Sequence, residues 1–390
     1  ILQMETRFPA NDLRDRREIL LTELGRYIDV KTFEQESGIL TVASARGSIL
    51  VGGGIAFHLE MGGGSGDRVI WEGSGTNTMD ITDHISAGEL GGWLDMRDEV
   101  LAQVRLNLDA FADAFVWEVN RQHSQGVGLK LFDPGTVVAG TYSTDAGLAG
   151  LDFGDHISYC ADGMTLWIED RTIAGSPVMN RAVIDLSGLD GTSSLTDLAD
   201  AVNDQIAAAG LSGVTASVSG NALALTTDAA HGLGFSDDNS GLLAALGINT
   251  FFTGAGASGV DISPSLSDRS RLAAGVIDAA GGYAPGDNAN AMSMTGLQHA
   301  SMSFPRWTCE RTEGNEEGQV STTLEGYYHS LIGGIGITAG GISRSRSFKT
   351  EMVGRISEMR DSVSGVSLDE EMANLIGLQH AFAAAARMIS

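Results

Sequence analysis

The sequence predicts an α+β multidomain chain, in which a long-helix, coiled-coil-like bundle carries inserted antiparallel β-rich domains. Three observations predict it. Leu94, Leu101, Leu108 and Phe115 recur every seven residues. From Leu324 towards the last residue, apolar positions are separated alternately by four and three. Between these stretches lie short alternating apolar runs punctuated by glycine. A 3.5-residue period makes a narrow seam that a helix buries against other helices, whereas strict alternation marks a half-buried strand.

Taken in order, residues 1–30 form the first helical part of the bundle. Asn11 or Asp12 caps a helix to about Tyr27, with Leu13, Leu20, Leu24 and Tyr27 on one face. Ile1 to Thr6 read as the middle of a helix, so the parent protein is expected to extend beyond both ends of this chain. Residues 31–87 are a small β element, with runs at Leu40–Val42, Ile49–Val51, Ala56–Leu59 and Val69–Trp71 separated by glycine clusters. Residues 88–126 return to the bundle as a long helix. Val104 and Phe111 fill its alternate seam positions, and Arg97 and Glu118 interrupt them.

Residues 127–260 form an inserted β-rich domain. Tyr159, Met164–Ile168, Val178 and Val183–Leu186 suggest strands. Residues 194–227 are a helix–hairpin unit: Ser194 caps a helix bearing Leu195, Leu198, Val202 and Ile206, and Gly210 ends it. Val214, Ala216 and Val218 then alternate, Ser219-Gly220-Asn221 turns, and Leu223 and Leu225 alternate again. Residues 261–363 are assigned to the bundle, with helical pattern over 265–279, 288–303 and from about Val320 onwards.

A continuous helix from Leu324 to Val366 would be about 65 Å long at ~1.5 Å per residue. Gly333, Gly334, Gly336, Gly340 and Gly341 argue against continuity, since each costs about 1 kcal/mol relative to alanine. Either two helices approach closely there or the helix breaks. A break is expected at Ser364-Gly365. Residues 364–390 then start a terminal coiled-coil helix, with Ser367 and Glu370 as a capping box and Asp369, Glu370 and Glu371 in its first turn.

The chain of 390 residues carries 50 acidic against 24 basic side chains, a formal charge of −26. Such a surface repels phosphate backbones and anionic lipid, which excludes nucleic-acid and membrane-surface roles. No run of eighteen apolar residues is present to span a membrane, and no cleavable signal peptide opens the chain. Cys160 and Cys309 sit in no CxxC pair; they form one disulfide or stay as buried thiols.

No catalytic, cofactor-binding or metal constellation emerges. GxxxxGK, HExxH, GxSxG and a strand-borne GxGxxG are all missing, and the eight histidines have no ligand spacing. Asp237-Asp238-Asn239 reads as a solvated turn rather than a calcium site, because no EF-hand loop surrounds it.

The segment from Ser362 to Ile376, SVSGVSLDEEMANLI, resembles the C-terminal signature of bacterial flagellar axial proteins, and Gln379 to Ile389 resembles their terminal helix. Asn11 to Leu24, Gly88 to Leu101, and Ala114 to Gly126 with Asn120, Gln122 and His123 are similar to the hook–filament junction (first hook-associated) family. So are Ser270 to Gly275 and Gly286 to Ala291, while 194–227 resembles an insert of several axial proteins. Residues 127–190 have no such counterpart.

The resemblance implies a non-enzymatic structural subunit of the extracellular flagellum, exported by the flagellar secretion apparatus. It joins hook to filament, with terminal helices lining a central channel and β domains outside. The implied partners are hook protein, the second junction protein, copies of itself and an export chaperone, with no cofactor. The family's outermost helical segments are missing from this chain, so it is expected to be monomeric or weakly associated.

The expected bundle core is Leu94, Leu101, Val104, Leu108, Phe111, Phe115, Leu324, Tyr328, Leu331, Ile335, Met352, Ile356, Met359 and Val363. The expected subunit interface is Leu368, Met372, Leu375, Phe382 and Ile389. The alternatives are a filament or second junction protein of the same superfamily, or a surface-binding or adhesive module carried by the β insert.

Overall fold

The structure, a computed structural model, describes residues 11–35, 38–63, 67–73, 77–132, 137–138, 147–172, 177–364 and 368–389. The fold is mixed α+β with several small antiparallel sheets. The chain divides into two compact units, one ending at Tyr328 and the other running from His329.

In the first unit, α1 (Asn11–Tyr27) leads into seven strands, β1 (Val30–Glu34), β2 (Leu40–Ser44), β3 (Ile49–Gly52), β4 (Ile55–Ala56), β5 (His58–Gly62), β6 (Arg68–Glu72) and β7 (Thr78–Asp80). They make a four-stranded sheet β1-β2-β3-β4 and a three-stranded sheet β5-β6-β7. Ile28, Leu50, Val69, Ile81, Ile85 and Leu94 close a small core beneath them.

The long helix is not uniform. It comprises α2 (Gly88–Asp95), a π-helical turn (Met96–Leu101) and α3 (Ala102–Ser124). Sequence periodicity predicts the helix but not the wider turn inside it.

The insert holds β8 (Val137–Val138), β9 (Met164–Asp170), β10 (Val178–Ile184), α4 (Leu195–Ala208), β11 (Val214–Ser219), β12 (Ala222–Thr227) and β13 (His231–Ser236). Two sheets, β10-β9-β13 and β11-β12-β8, enclose the largest core, which includes Leu166, Ile184, Leu198, Val202, Leu223 and Phe235. Val116 and Trp117 of α3 belong to the same core, so the insert is packed on the long helix rather than tethered beside it. The capping box forms as expected, with Ser194 paired reciprocally to Asp197. Tyr159 lies in an irregular segment instead of a strand.

The segment 261–328 departs most from expectation. Residues 265–279 do not form a helix: 3₁₀ turns occupy Pro264–Ser267 and Arg269–Arg271, and irregular chain follows. Asp268 and Asp278 accept hydrogen bonds from main-chain N–H groups two residues on, the local pairing that competes with a helix. α5 (Leu242–Ala245), β14 (Phe252–Thr253), β15 (Asp261–Ile262) and α6 (Ala289–Gly296) follow in turn. A regular hairpin of β16 (Met302–Glu310) and β17 (Gly314–Thr322) then fills residues assigned to the bundle, taking the last two positions of the helix expected over 288–303 and the first of that expected from about Val320. α7 (Leu324–Ser364) begins directly after it.

The second unit continues α7 and adds α8 (Leu368–Ile389). α7 runs unbroken through all five clustered glycines. Four of them would meet nothing within 4 Å with an added Cβ, so no close helix approach in this chain explains them. The described helix runs to Ser364, and the expected break at Ser364-Gly365 runs into residues outside those described. Ser367, Val366 and the capping box lie outside the described residues.

Candidate assembly site

The long helix buries a polar face and leaves its apolar seam largely open. Its buried positions include Asn107, Asn120 and His123, together with Ala110, Val116 and Trp117. Leu101 and Leu108 are 54% and 38% exposed, and Val104, Phe111 and Phe115 are half-buried. Among the described side chains of the expected bundle core, only Leu94 and Leu324 are buried within this chain.

The buried amides and imidazole are each matched to the main chain. Asn120 Nδ2 donates to Phe252 O at 3.0 Å, and its Oδ1 accepts from the N–H groups of Phe251 and Phe252 at 3.0 and 2.8 Å. The residue thereby fixes the chain where it leaves the insert.

His123, fully buried, lies 2.7 Å from Asn249 O through Nδ1 and accepts from Ala273 N–H at Nε2, 3.1 Å away. This pattern assigns the proton to Nδ1. Burial holds the imidazole pKa below its ordinary value, outweighing the contact with Asn249 O. Asn249 Nδ2 donates to Ser124 O and Gly126 O, and Gln122 Nε2 to Asn290 Oδ1. Asn290 Nδ2 donates in turn to Ala273 O. These bonds join both ends of the insert to the end of the long helix.

A second joint connects the middle of α3 to the hairpin and the start of α7. Asn107 Nδ2 donates to Trp307 O at 3.0 Å, and Asn107 Oδ1 accepts from Trp307 N–H at 2.9 Å. The Tyr327 hydroxyl lies 2.9 Å from Pro305 O and 3.1 Å from Asn107 Oδ1. The Tyr327 ring stacks between Phe304 and Phe111, at 4.6 and 6.1 Å. The periodicity selects Tyr328 for this position, but Tyr327 is the buried residue and Tyr328 stands half exposed beside Phe111. The short alternation of Met302 and Phe304, followed by the strand-favouring Trp307 and Thr308, was the available strand signal.

From His329 on, no described side chain is buried. Leu331 is half-buried, while Ile335, Met352, Ile356 and Met359 on α7 are exposed. On α8, Met372, Leu375 and Phe382 are exposed, Phe382 by 79%. The side chains of Val363, Leu368 and Ile389 lie outside the described residues.

Among the described residues no cluster of His, Cys, Asp or Glu could hold a metal, and no helix is long and apolar enough to cross a membrane. Cys160 and Cys309 are free thiols, the first half-buried and the second buried.

Residues 1–136 match the flagellar hook-associated protein FlgK helical domain, and residues 360–390 match the C-terminal family of the flagellar basal body rod FlgEFG proteins. Flagellar hook-associated protein 1 of Escherichia coli strain K12 is 26% identical over 97% of this chain and 62% of its own length. The Bacillus subtilis strain 168 protein of that name is 33% identical over 33% of this chain and 26% of its own. A solved structure of the flagellar hook junction protein FlgK from Burkholderia pseudomallei covers 93% of this chain and 80% of its own, at 16% identity and a TM-score of 0.49. The chain thus spans 62% of the length of the Escherichia coli relative it matches along almost all of its own. Along nearly its whole length the chain is therefore similar to flagellar hook-associated protein 1, with a match to the FlgK helical domain at one end and to the rod-protein C-terminal family at the other.

Proposed function

We propose that this chain is a structural subunit of the bacterial flagellum at the junction between hook and filament, and that it carries out no catalysis. The observation that carries this reading is the unburied apolar face along α7 and α8. It needs other helices to cover it, and it belongs to a chain related to flagellar hook-associated protein 1. Assembly then proceeds through a coiled-coil-like helical bundle. Leu101, Val104, Leu108, Phe111 and Phe115 belong to the core of that bundle, and Met372, Leu375 and Phe382 meet neighbouring subunits.

The domain boundaries read from the sequence belong to this proposal, with the β parts at 31–87 and 127–260 outside the bundle. Hook protein, the second junction protein, further copies of this chain and an export chaperone are its partners, and the flagellar secretion apparatus delivers it outside the cell.

Deleting the gene in its source bacterium tests the reading. Hooks without filaments under the electron microscope, with flagellin lost to the medium, are expected; normal filaments would refute it. Met372→Asp and Phe382→Asp in the complete natural protein should abolish filament attachment while leaving the β-sheet circular dichroism unchanged. Normal assembly of these variants would remove the seam from the mechanism.

A further inference from the structure

The π-helical turn at Met96–Leu101 lies against the tip of the hairpin β16–β17, and one arginine links the two. The Arg311 side chain is only 7% exposed. Its Nη2 lies 3.0 Å from Asp95 Oδ1 and donates to Ile85 O at 2.6 Å, while Nη1 reaches Thr82 O at 3.4 Å. Its main-chain N–H donates to Glu99 Oε1, inside the π turn itself, at 3.2 Å. Its Nε is buried without a partner. The hairpin tip therefore grips the residue before the π turn, a residue within it, and the carbonyls of the loop that leads into α2.

A π turn holds one residue more than the α-helix it interrupts, and its i→i+5 bonds are the poorer arrangement, kept where tertiary contacts hold it. Tightening such a turn to α geometry shifts one flank against the other by one residue, about 100° of rotation and about 1.5 Å of rise. Here the flanks are differently anchored. On one side, Leu94 packs with Ile28, Ile81 and Ile85. On the other, Asn107, Asn120 and His123 tie α3 to the hairpin and the insert.

We infer that Arg311 and the π turn form a conformational latch, in which the seated hairpin tip holds Met96–Leu101 in the wide turn and its withdrawal lets the turn tighten and re-aim α2. The far end of the hairpin continues into α7 after Thr322. Displacement of the α7 start can thus reach α2 through a strand that is hydrogen-bonded along nine residues. Arg97 adds a second hold, donating to Asp67 O and to Asp98 from within the turn.

The test compares Arg311→Ala, a one-residue deletion of the exposed Met96, and the two combined, in the whole chain, by hydrogen exchange over residues 82–101. Arg311→Ala should speed exchange there on the order of tenfold, because α2 loses its packing. Deleting Met96 alone removes the extra residue and keeps both flanks in register, so exchange at 82–95 should stay within about twofold of the parent. The combined variant should match the deletion alone, a rescue that a merely space-filling arginine does not produce. Three outcomes overturn the latch: no effect of Arg311→Ala, a combined variant as fast as Arg311→Ala or faster, or a deletion variant that does not fold.

Discussion

His123→Phe keeps a flat ring at the centre of the joint and removes both of its hydrogen bonds. Ala273 N–H and Asn249 O, 3.1 and 2.7 Å from the imidazole nitrogens, are then left without that partner in a site closed to water. At about 1–3 kcal/mol for each orphaned group, the loss is about 2–6 kcal/mol. The substitution also changes the pH response. Burial lowers the His123 pKa in the folded chain, so below the ordinary value of 6.5 the unfolded chain binds a proton that the folded one refuses. Stability therefore falls as pH drops from 6.5 towards the folded pKa, by up to about 1.4 kcal/mol per pH unit for this group. Protonated Nε2 would also face the Ala273 N–H, donor against donor. Thermal unfolding followed by circular dichroism from pH 7.5 to 5 measures both effects. The parent should lose stability more steeply below 6.5 than His123→Phe, and the difference between the two curves isolates this histidine from the other seven. Equal slopes, or a variant as stable as the parent at pH 7.5, would refute the assignment of a neutral, doubly bonded imidazole.

Tyr327→Phe should cost about 1 kcal/mol, because Asn107 keeps its bonds to Trp307, whereas Tyr327→Ala empties the space between Phe111 and Phe304 and should cost about 3–5 kcal/mol. Urea unfolding of both variants separates the ring from the hydroxyl. Gly126→Ala places a Cβ 2.1 Å from Asn290 Nδ2 and 2.8 Å from Ala273 O, so it should break that bond and cost about 3 kcal/mol. Faster amide exchange at 273–275 is the readout, and wild-type exchange there would show that the joint relaxes without loss.

What the sequence determined by itself is what local pattern controls. The first helix, the capped helix at 195–208 and the hairpin after it each carry their own signal, a cap, a turn residue or a period, within a few positions. The resemblance is legible for the same reason, since the segments that carry it, Asn11 to Leu24, Gly88 to Leu101 and Ser362 to Ile376, are each contiguous.

The tertiary structure decided which face of the long helix is buried. A seven-residue apolar repeat points to Leu101 and Leu108, but Asn107, Asn120 and His123 are the buried residues, because main-chain groups 126 to 200 residues away supply their hydrogen bonds. Residues 302–322 are strands for a similar reason. The sequence of β17 has no apolar alternation, and pairing with β16 across nine positions supplies its order. The π turn is likewise invisible in the pattern. It rests on Arg311, 212 residues beyond Glu99, and no local spacing encodes a contact made only when the hairpin tip arrives.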